Sequence, residues 1–194
     1  MPRGPGLRVI GGELKGRRLN QVGGNSTRPI ISRVKEALFN IIGADIKKSA
    51  FLDLFGGTGG VGIEAISRGA ERVVFVENDS RTLSTLRANI AQMNVQERCE
   101  VLPVDALSLL SRKNVYSFDY IFIAPPQYLG MWSRALGRLD KYTHWLNPGG
   151  WIIAQIDPNE YTEMELDSLT LFDKRKYGNT ALCFYERTRR GGGV

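Results

Sequence analysis

The chain alternates between short, continuous apolar runs and longer stretches in which apolar residues recur at helical spacing. The continuous runs are Ala50–Phe55, Val73–Val76, Cys99–Val104, Phe118–Ile123 and Trp151–Ile156. Runs that are apolar on both faces and rich in β-branched and aromatic residues are typical of strands covered by helices on both sides. We therefore expect five parallel strands.

Helical patterns precede or separate these runs. The first begins with Ser32 as its cap and has one apolar face, formed by Val34, Ala37, Leu38, Ile41 and Ile42. Further helices are predicted over Val61–Arg68, Ser80–Gln92 and Trp132–Leu146, with a short acidic helix near Glu160–Leu166.

The end of the chain changes to a different pattern. Two β-rich runs, Leu169–Phe172 and Thr180–Tyr185, flank the turn residues Lys176–Asn179 and predict a hairpin. Together with the preceding units they predict an α/β fold, a Rossmann-like doubly wound sheet that is mostly parallel with an antiparallel closing hairpin. We expect a single domain over residues 1–194, with ligands bound beyond the carboxyl ends of the strands.

The composition, 42% hydrophobic and 24% charged over 194 residues, is that of a globular domain. Cys99 and Cys183 lie far apart and His144 is the sole histidine, so we expect no bound metal. No apolar run approaches the roughly 20 residues of a membrane helix, and Met1–Leu7 lacks the apolar stretch of a signal peptide. The sequence thus predicts a cytoplasmic protein, which we expect to be a monomer.

Charge is distributed unevenly along the chain. Residues 1–36 contain eight Lys or Arg against two acidic residues, and residues 171–194 contain six against two. The segment between them holds 12 basic and 16 acidic residues. Basic ends on an acidic middle suggest that the ends contact a polyanion such as a nucleic acid, although solvated termini would show the same pattern.

A glycine-rich turn, DLFGGTGGVG at residues 53–62, follows the first predicted strand. Gly57, Gly59 and Gly62 satisfy G-x-G-x-x-G and Glu77 follows 20 residues after Gly57, a pattern that both a dinucleotide and S-adenosylmethionine can use. A dinucleotide brings an anionic pyrophosphate that Asp53 would repel, whereas S-adenosylmethionine brings a sulfonium and an ammonium that a carboxylate attracts. Asp53 therefore favours S-adenosylmethionine.

Acidic residues also end the next two predicted strands. Glu77 can accept hydrogen bonds from both ribose hydroxyls, and Asp105 from the adenine amino group, with Ala106 or Leu107 beside the ring. The predicted cofactor-binding residues are Asp53, Phe55, Gly56, Gly57, Thr58, Gly59, Glu77, Asn78, Asp105 and Ala106.

Three motifs carry a resemblance to a known family. They are RVIGG at 8–12 with KGR at 15–17, TRP at 27–29 followed by RVKEALFN at 33–40, and DLFGGTG at 53–59. With them the chain resembles the small-subunit ribosomal RNA guanine-N2 methyltransferases of the RsmD type over nearly its whole length. The resemblance implies a class I methyltransferase fold, S-adenosylmethionine as donor, and methylation of one guanine exocyclic amine in 16S ribosomal RNA.

The sequence departs from the family's pattern after the fourth predicted strand. The family has Asp or Asn before two prolines and an aromatic residue directly after them, where this chain has Ala124 and Gln127, with Tyr128 one place later. Backbone carbonyls of Ala124 and Pro125 can replace the missing acceptor of the target amine, because Pro126 has no N–H to compete for them. The predicted catalytic residues are Ala124, Pro125, Pro126 and Tyr128. Tyr128, with Gln127 as the alternative, is expected to stack on the flipped base or pin it.

The basic N-terminal extension, about residues 1–31, is the predicted RNA contact. The candidate RNA-binding residues are Arg8, Lys15, Arg17, Arg18, Arg28, Arg33 and Lys35. Two other functions stay open at this point. One is a non-catalytic RNA-binding ribosome assembly factor that keeps the cofactor pocket, suggested by Ala124; the other is a nicotinamide-dependent oxidoreductase, suggested by the glycine spacing.

Overall fold

The structure is a computed structural model that describes residues 7–22, 32–112 and 116–188. It divides into two compact units, Met1–Ala106 and Leu107–Val194. Within the described ranges no helix is long and apolar enough to cross a membrane. The expectation of one domain over residues 1–194 stays a prediction.

The first unit holds three parallel strands in the order β3-β2-β1. They are β1 (Ala50–Asp53), β2 (Arg72–Val76) and β3 (Cys99–Leu102), and the helices are α1 (Ser32–Ile42), α2 (Gly62–Ser67) and α3 (Ser80–Met93). Short 3₁₀ turns cover Gly43–Ile46 and Gln96–Arg98. Because the strands are parallel, their carboxyl ends lie at one edge, and this edge carries Asp53 and Glu77.

The ends of α3 follow local chemistry that the sequence shows. Asp79 precedes the helix and its side chain accepts a hydrogen bond from the backbone N–H of Thr82 at 2.8 Å, an N-cap. Asn94 ends the helix in the left-handed conformation, with φ of +58°. The helix predicted over Ser80–Gln92 is confirmed.

The second unit has four strands in the order β4-β5-β7-β6. They are β4 (Phe118–Ile123), β5 (Leu146–Ile156), β6 (Leu169–Tyr177) and β7 (Thr180–Arg187). Helix α4 (Ala106–Leu110) spans the boundary of the units and α5 (Met131–Lys141) follows β4, with 3₁₀ turns at Thr143–Trp145 and Pro158–Glu160. β4 and β5 are parallel, whereas β7 pairs antiparallel with both β5 and β6. The closing hairpin is confirmed, with a two-residue turn at 178–179.

The helix predicted over Trp132–Leu146 is wrong at its end. α5 stops at Lys141 because Tyr142 leaves the helical region, with φ of −117° and ψ of 65°. Leu146 then pairs with Phe118 as the first residue of β5, so strand pairing overrides the helical pattern.

The acidic helix predicted near Glu160–Leu166 is also wrong, because the chain is irregular over residues 161–166. The Tyr161 ring stacks against Trp132 with 6.3 Å between ring centroids. Lys174 Nζ also lies over the Tyr161 ring, 3.7 Å from its centroid. These contacts hold the segment against α5 and β6 in place of its own helix.

Candidate functional site

The glycine-rich turn is folded by its own backbone onto β2. The N–H of Gly56 donates to the Val76 carbonyl at 2.8 Å, and the N–H of Gly59 donates to the Gly56 carbonyl at 2.8 Å. Gly59 has φ of +87°, and a Cβ there would lie 2.7 Å from Leu86 Cδ1 and 2.9 Å from Ile63 Cδ1. Packing and backbone conformation therefore both require glycine at position 59.

Gly57 is a glycine for a different reason. Its φ is +52°, yet the nearest atom that a Cβ would meet is the Phe55 carbonyl oxygen at 3.9 Å. The space beside Gly57 is open to a ligand that approaches the backbone closely. This open cradle fits a cofactor bound by the turn.

Alanine substitutions separate these two roles. We expect Gly59→Ala to destabilise the fold through its contacts with Leu86 and Ile63, by about 2 kcal/mol or more. Gly57→Ala should cost about 1 kcal/mol in stability, from its positive φ alone, but should weaken S-adenosylmethionine binding at least about 10-fold. Urea unfolding and calorimetric titration measure the two effects; a Gly57→Ala variant with unchanged cofactor affinity would contradict the assignment.

Asp53 ends β1 and is nearly inaccessible, with 2% of its surface exposed. Its Oδ2 accepts a hydrogen bond from the N–H of Gly62 at 3.0 Å. Burial raises the pKa of Asp53 to about 7; the Gly62 N–H opposes this shift and the nearby Glu77 charge adds to it. A cationic ligand near this carboxyl would offset the cost of its charge, as expected for a sulfonium or ammonium group.

Glu77, one residue beyond β2, fastens the glycine turn. Its Oε2 accepts a hydrogen bond from the N–H of Gly57 at 3.0 Å, and its Oε1 accepts from the N–H groups of Asn78 and Asp79, both at 2.8 Å. A carboxylate has about four acceptor positions, so these bonds leave room for a ribose hydroxyl. The ribose contact stays a prediction, and sequence reasoning missed the contact between Glu77 and the glycine turn.

The remaining predicted cofactor residues lie on the same unit. The buried Thr58 presents its carbonyl to Asn89 Nδ2 at 2.8 Å, while Phe55 is half-buried and Asn78 is exposed. Asp105 directly precedes α4, whose first residue, Ala106, is buried. The structure therefore brings residues 53–59 together with Glu77 and Asn78, and positions 105–106 follow the neighbouring strand β3.

Lys35 was predicted to bind RNA, and this prediction is wrong. The side chain is fully buried in α1, and Nζ lies 3.1 Å from Glu64 Oε2. Nζ also donates to the carbonyls of Arg8 at 2.8 Å and Gly60 at 3.2 Å. Burial lowers the pKa of Lys35, an effect that Glu64 opposes. A lysine enclosed in this way does not reach a phosphate.

Glu64, equally buried in α2, completes this Lys35–Glu64 cluster. Its carboxylate accepts hydrogen bonds at 2.8 Å from the backbone N–H groups of Ile10 and Gly11 and from Arg68 Nε. The cluster ties the N-terminal segment to α2 and to the glycine turn at Gly60. Sequence reasoning missed it, although a glutamate inside the otherwise apolar α2 was a visible signal.

The N-terminal segment over residues 7–22 is folded as an antiparallel turn with a bridge between Arg8 and Arg18. Arg8, Lys15 and Arg18 are exposed, as is Arg33 at the start of α1. Arg17 is half-buried, and its guanidinium donates to the carbonyls of Met93, at 3.2 Å, and Gln92. Arg28 lies outside the described residues.

In the second unit, β4 runs directly into the predicted catalytic residues. Ala124 and Pro125 are half-buried and Pro126 is exposed. Tyr128 has φ of +62°, and its hydroxyl donates to Asp157 Oδ2 at 2.9 Å. The Ala124 side chain cannot accept a hydrogen bond, so at positions 124 and 125 only the backbone carbonyls are acceptors.

The parallel strands, the glycine turn after β1 and the acidic residues that end β1 and β2 define a class I S-adenosylmethionine-dependent methyltransferase fold. The chain belongs to the family described as Conserved hypothetical protein 95, whose model matches residues 7–186. The RsmD-type resemblance seen in the motifs is confirmed.

Individual proteins agree with this assignment. Ribosomal RNA small subunit methyltransferase D of Haemophilus influenzae is 31% identical over 182 residues, which cover 89% of this chain and 94% of that protein. The solved structure of YhhF from Escherichia coli matches with a TM-score of 0.83 at 28% identity, covering 93% of this chain and 97% of that one. An RNA methyltransferase of Salinibacter ruber, in complex with S-adenosyl-L-homocysteine, has a TM-score of 0.60 at 16% identity over 81% of this chain and 92% of its own, and so shares the fold.

Proposed function

We propose that the protein transfers a methyl group from S-adenosylmethionine to the N2 amine of a guanine in 16S ribosomal RNA. The observation that carries the proposal is the open space beside Gly57, whose N–H donates to Glu77, in the turn that follows the buried Asp53. When bound, the cofactor supplies an electrophilic methyl group. We assign Asp53 to its cationic end, Glu77 to its ribose, and Asp105 with Ala106 to its adenine.

The target amine is oriented by backbone in this proposal. The lone pair of guanine N2 is delocalised into the ring, so the amine needs chiefly to be pointed at the methyl carbon. The carbonyls of Ala124 and Pro125 accept its N–H groups, and Pro126 has no N–H that competes for them. The exposed Tyr128 ring, in turn, stacks on the base.

RNA is gripped by the N-terminal segment. Arg8 and Arg18 are paired across the antiparallel bridge, so their side chains leave the same face. Two like charges directly opposite each other repel, and a phosphate between them removes the repulsion. Lys15 and Arg33 add exposed charge, whereas the Arg17 guanidinium already donates a hydrogen bond to the Met93 carbonyl at the end of α3.

Replacing Arg8, Lys15 and Arg18 together by alanine should flatten the dependence of RNA affinity on salt. Each lost phosphate contact lowers the slope of log K against log salt by about 0.7 to 0.9, so a decrease of about 2 is expected. Arg72→Ala, which removes an exposed arginine paired with Glu100, is the matched control and should leave the slope unchanged. An unchanged slope in the triple variant would remove this surface from the RNA site.

The absence of a side-chain acceptor at Ala124 favours a second candidate, an assembly factor that binds RNA and cofactor without turnover. Methyl-labelled S-adenosylmethionine, incubated with the protein and either 16S RNA or small-subunit particles, separates the two. Label in the RNA supports the enzyme; cofactor binding without label supports the assembly factor. Family membership leaves the nicotinamide-dependent alternative without support.

We further propose a setting for the reaction. The protein acts as a monomer, without a metal, in the cytoplasm where ribosomal subunits are assembled. Its basic N-terminal extension serves the same domain as the cofactor turn, because the Lys35–Glu64 cluster ties residues 8–11 to α2.

A further inference from the structure

Tyr128 combines an uncommon backbone conformation with an open ring. Its φ of +62° lies in the left-handed region, which a bulky residue adopts at a cost. The residue is nevertheless 66% exposed. Since the residue is not buried, hydrogen bonds rather than packing must hold this conformation.

Two acidic residues that follow the carboxyl end of β5 bind Tyr128, one at its side chain and the other at its backbone. The hydroxyl donates to Asp157 Oδ2 at 2.9 Å, and the backbone N–H donates to Glu160 Oε1. Asp157 directly follows β5, and Glu160 ends the 3₁₀ turn Pro158–Glu160. The position of Tyr128, which follows β4, is thus set by the segment that follows the neighbouring strand β5.

Asp157 is itself fixed. It is 7% exposed, and its Oδ1 accepts a hydrogen bond from the N–H of Asn159 at 2.9 Å, which caps the 3₁₀ turn. With its hydroxyl turned towards Asp157, Tyr128 offers the substrate its ring face. Stacking on such a face is independent of hydrogen-bond readout of the base.

We propose that Asp157 and Glu160 are positioning residues that hold the Tyr128 ring as a preformed stacking surface for the target base. The inference rests on the proposed function, in which Tyr128 contacts that base. Pre-organisation of the ring lowers the ordering cost of binding. The same contacts account for the position of the aromatic residue, one place later than in the family's pattern. Tyr128 is left-handed and donates to two fixed acceptors, Asp157 and Glu160, so its ring has a defined direction after the prolines.

A double-mutant cycle tests the role of Asp157. Tyr128→Phe keeps the ring and removes its hydrogen bond, so we expect the KM for 16S RNA to rise about 5-fold with kcat nearly unchanged. Asp157→Ser, which keeps one oxygen for the N–H of Asn159 and removes the Oδ2 acceptor of the Tyr128 hydroxyl, should also raise the KM alone. It should add less than about 2-fold in the Tyr128→Phe background, because both changes remove one interaction. Additive effects would overturn the proposal, since Asp157 would then act independently of Tyr128. Tyr142→Phe and Glu163→Gln are matched controls with no expected effect.

A binding readout tests the ring and Glu160 without turnover. A short oligoribonucleotide with one 2-aminopurine should lose fluorescence on binding the protein, and Tyr128→Ala should abolish this quenching. Glu160→Ala should reduce it, whereas Glu160→Gln, which keeps an acceptor oxygen, should restore it. Quenching that is indifferent to Tyr128 or to Glu160→Ala would contradict the proposal. If the wild-type protein quenches through Tyr128 but transfers no methyl group, the proposed function fails while the positioning role stands.

Discussion

Lys35→Met should lower the free energy of unfolding by about 3 kcal/mol, because it leaves the buried Glu64 carboxylate with Arg68 as its cationic partner and without the enclosed lysine. The lysine is fully buried and donates hydrogen bonds to the carbonyls of Arg8 and Gly60. The substitution therefore removes one hydrogen bond from the N-terminal segment and one from the glycine turn. Urea unfolding measures the loss. Lys15→Met, at an exposed lysine of the same charge, should change stability by less than about 0.5 kcal/mol.

The same pair of variants separates structure from RNA binding. We expect Lys15→Met to weaken RNA binding without destabilising the fold. Lys35→Met should destabilise the fold, while the molecules that stay folded should bind RNA with unchanged affinity. Adding Glu64→Gln to Lys35→Met should recover part of the lost stability, because it removes the buried negative charge that has lost its lysine, while the partly exposed Arg68 can be solvated. A stable Lys35→Met variant with reduced RNA affinity would show that this lysine faces RNA.

Asp53→Asn should weaken S-adenosylmethionine binding about 100-fold, because it removes a buried negative charge from the cationic end of the ligand. The amide keeps an acceptor oxygen for the N–H of Gly62. Calorimetric titration measures the change, with Asp45→Asn, at an exposed acid in the first unit, as the control. Unchanged affinity would contradict the role of Asp53.

The same substitution should stabilise the cofactor-free protein at pH 8. The pKa of Asp53 is about 7 in the folded protein and near its ordinary 3.8 in the unfolded chain, so the unfolded state ionises first as the pH rises. Stability from this group is therefore fully present below about pH 4 and is lost as the pH rises to about 7. Urea unfolding at pH 5 and pH 8 should show a smaller loss for Asp53→Asn than for the wild type.

The cofactor site could be predicted from the sequence because it depends on local features. Asp53 and Glu77 each stand at the end of an apolar run, and parallel strands bring such ends to one edge. The glycine turn likewise lies within ten residues of Asp53. The contact of Glu77 with Gly57 and that of Tyr128 with Asp157 join distant positions, and no local pattern indicates them.

Lys35 shows how a small error in a helical face becomes an error in function. The sequence pattern placed Ala37 and Ile41 on the buried face of α1, but the buried residues are Val34, Lys35, Leu38, Phe39 and Ile42. The buried stripe is rotated by part of a turn, which turns Lys35 inwards. A charge can occupy this face because Glu64 meets it there, and that partner lies 29 positions away in the sequence.

The central claim is that the cofactor bound by the glycine turn supplies a methyl group to guanine N2. Nucleoside mass spectrometry of 16S RNA, after incubation with the protein and S-adenosylmethionine carrying a deuterated methyl group, tests it most directly. We expect the label in N2-methylguanosine, at no more than about one labelled nucleoside per RNA molecule, and its loss in the Asp53→Asn variant. Label in any other nucleoside, or unlabelled RNA in the presence of bound cofactor, would contradict the account.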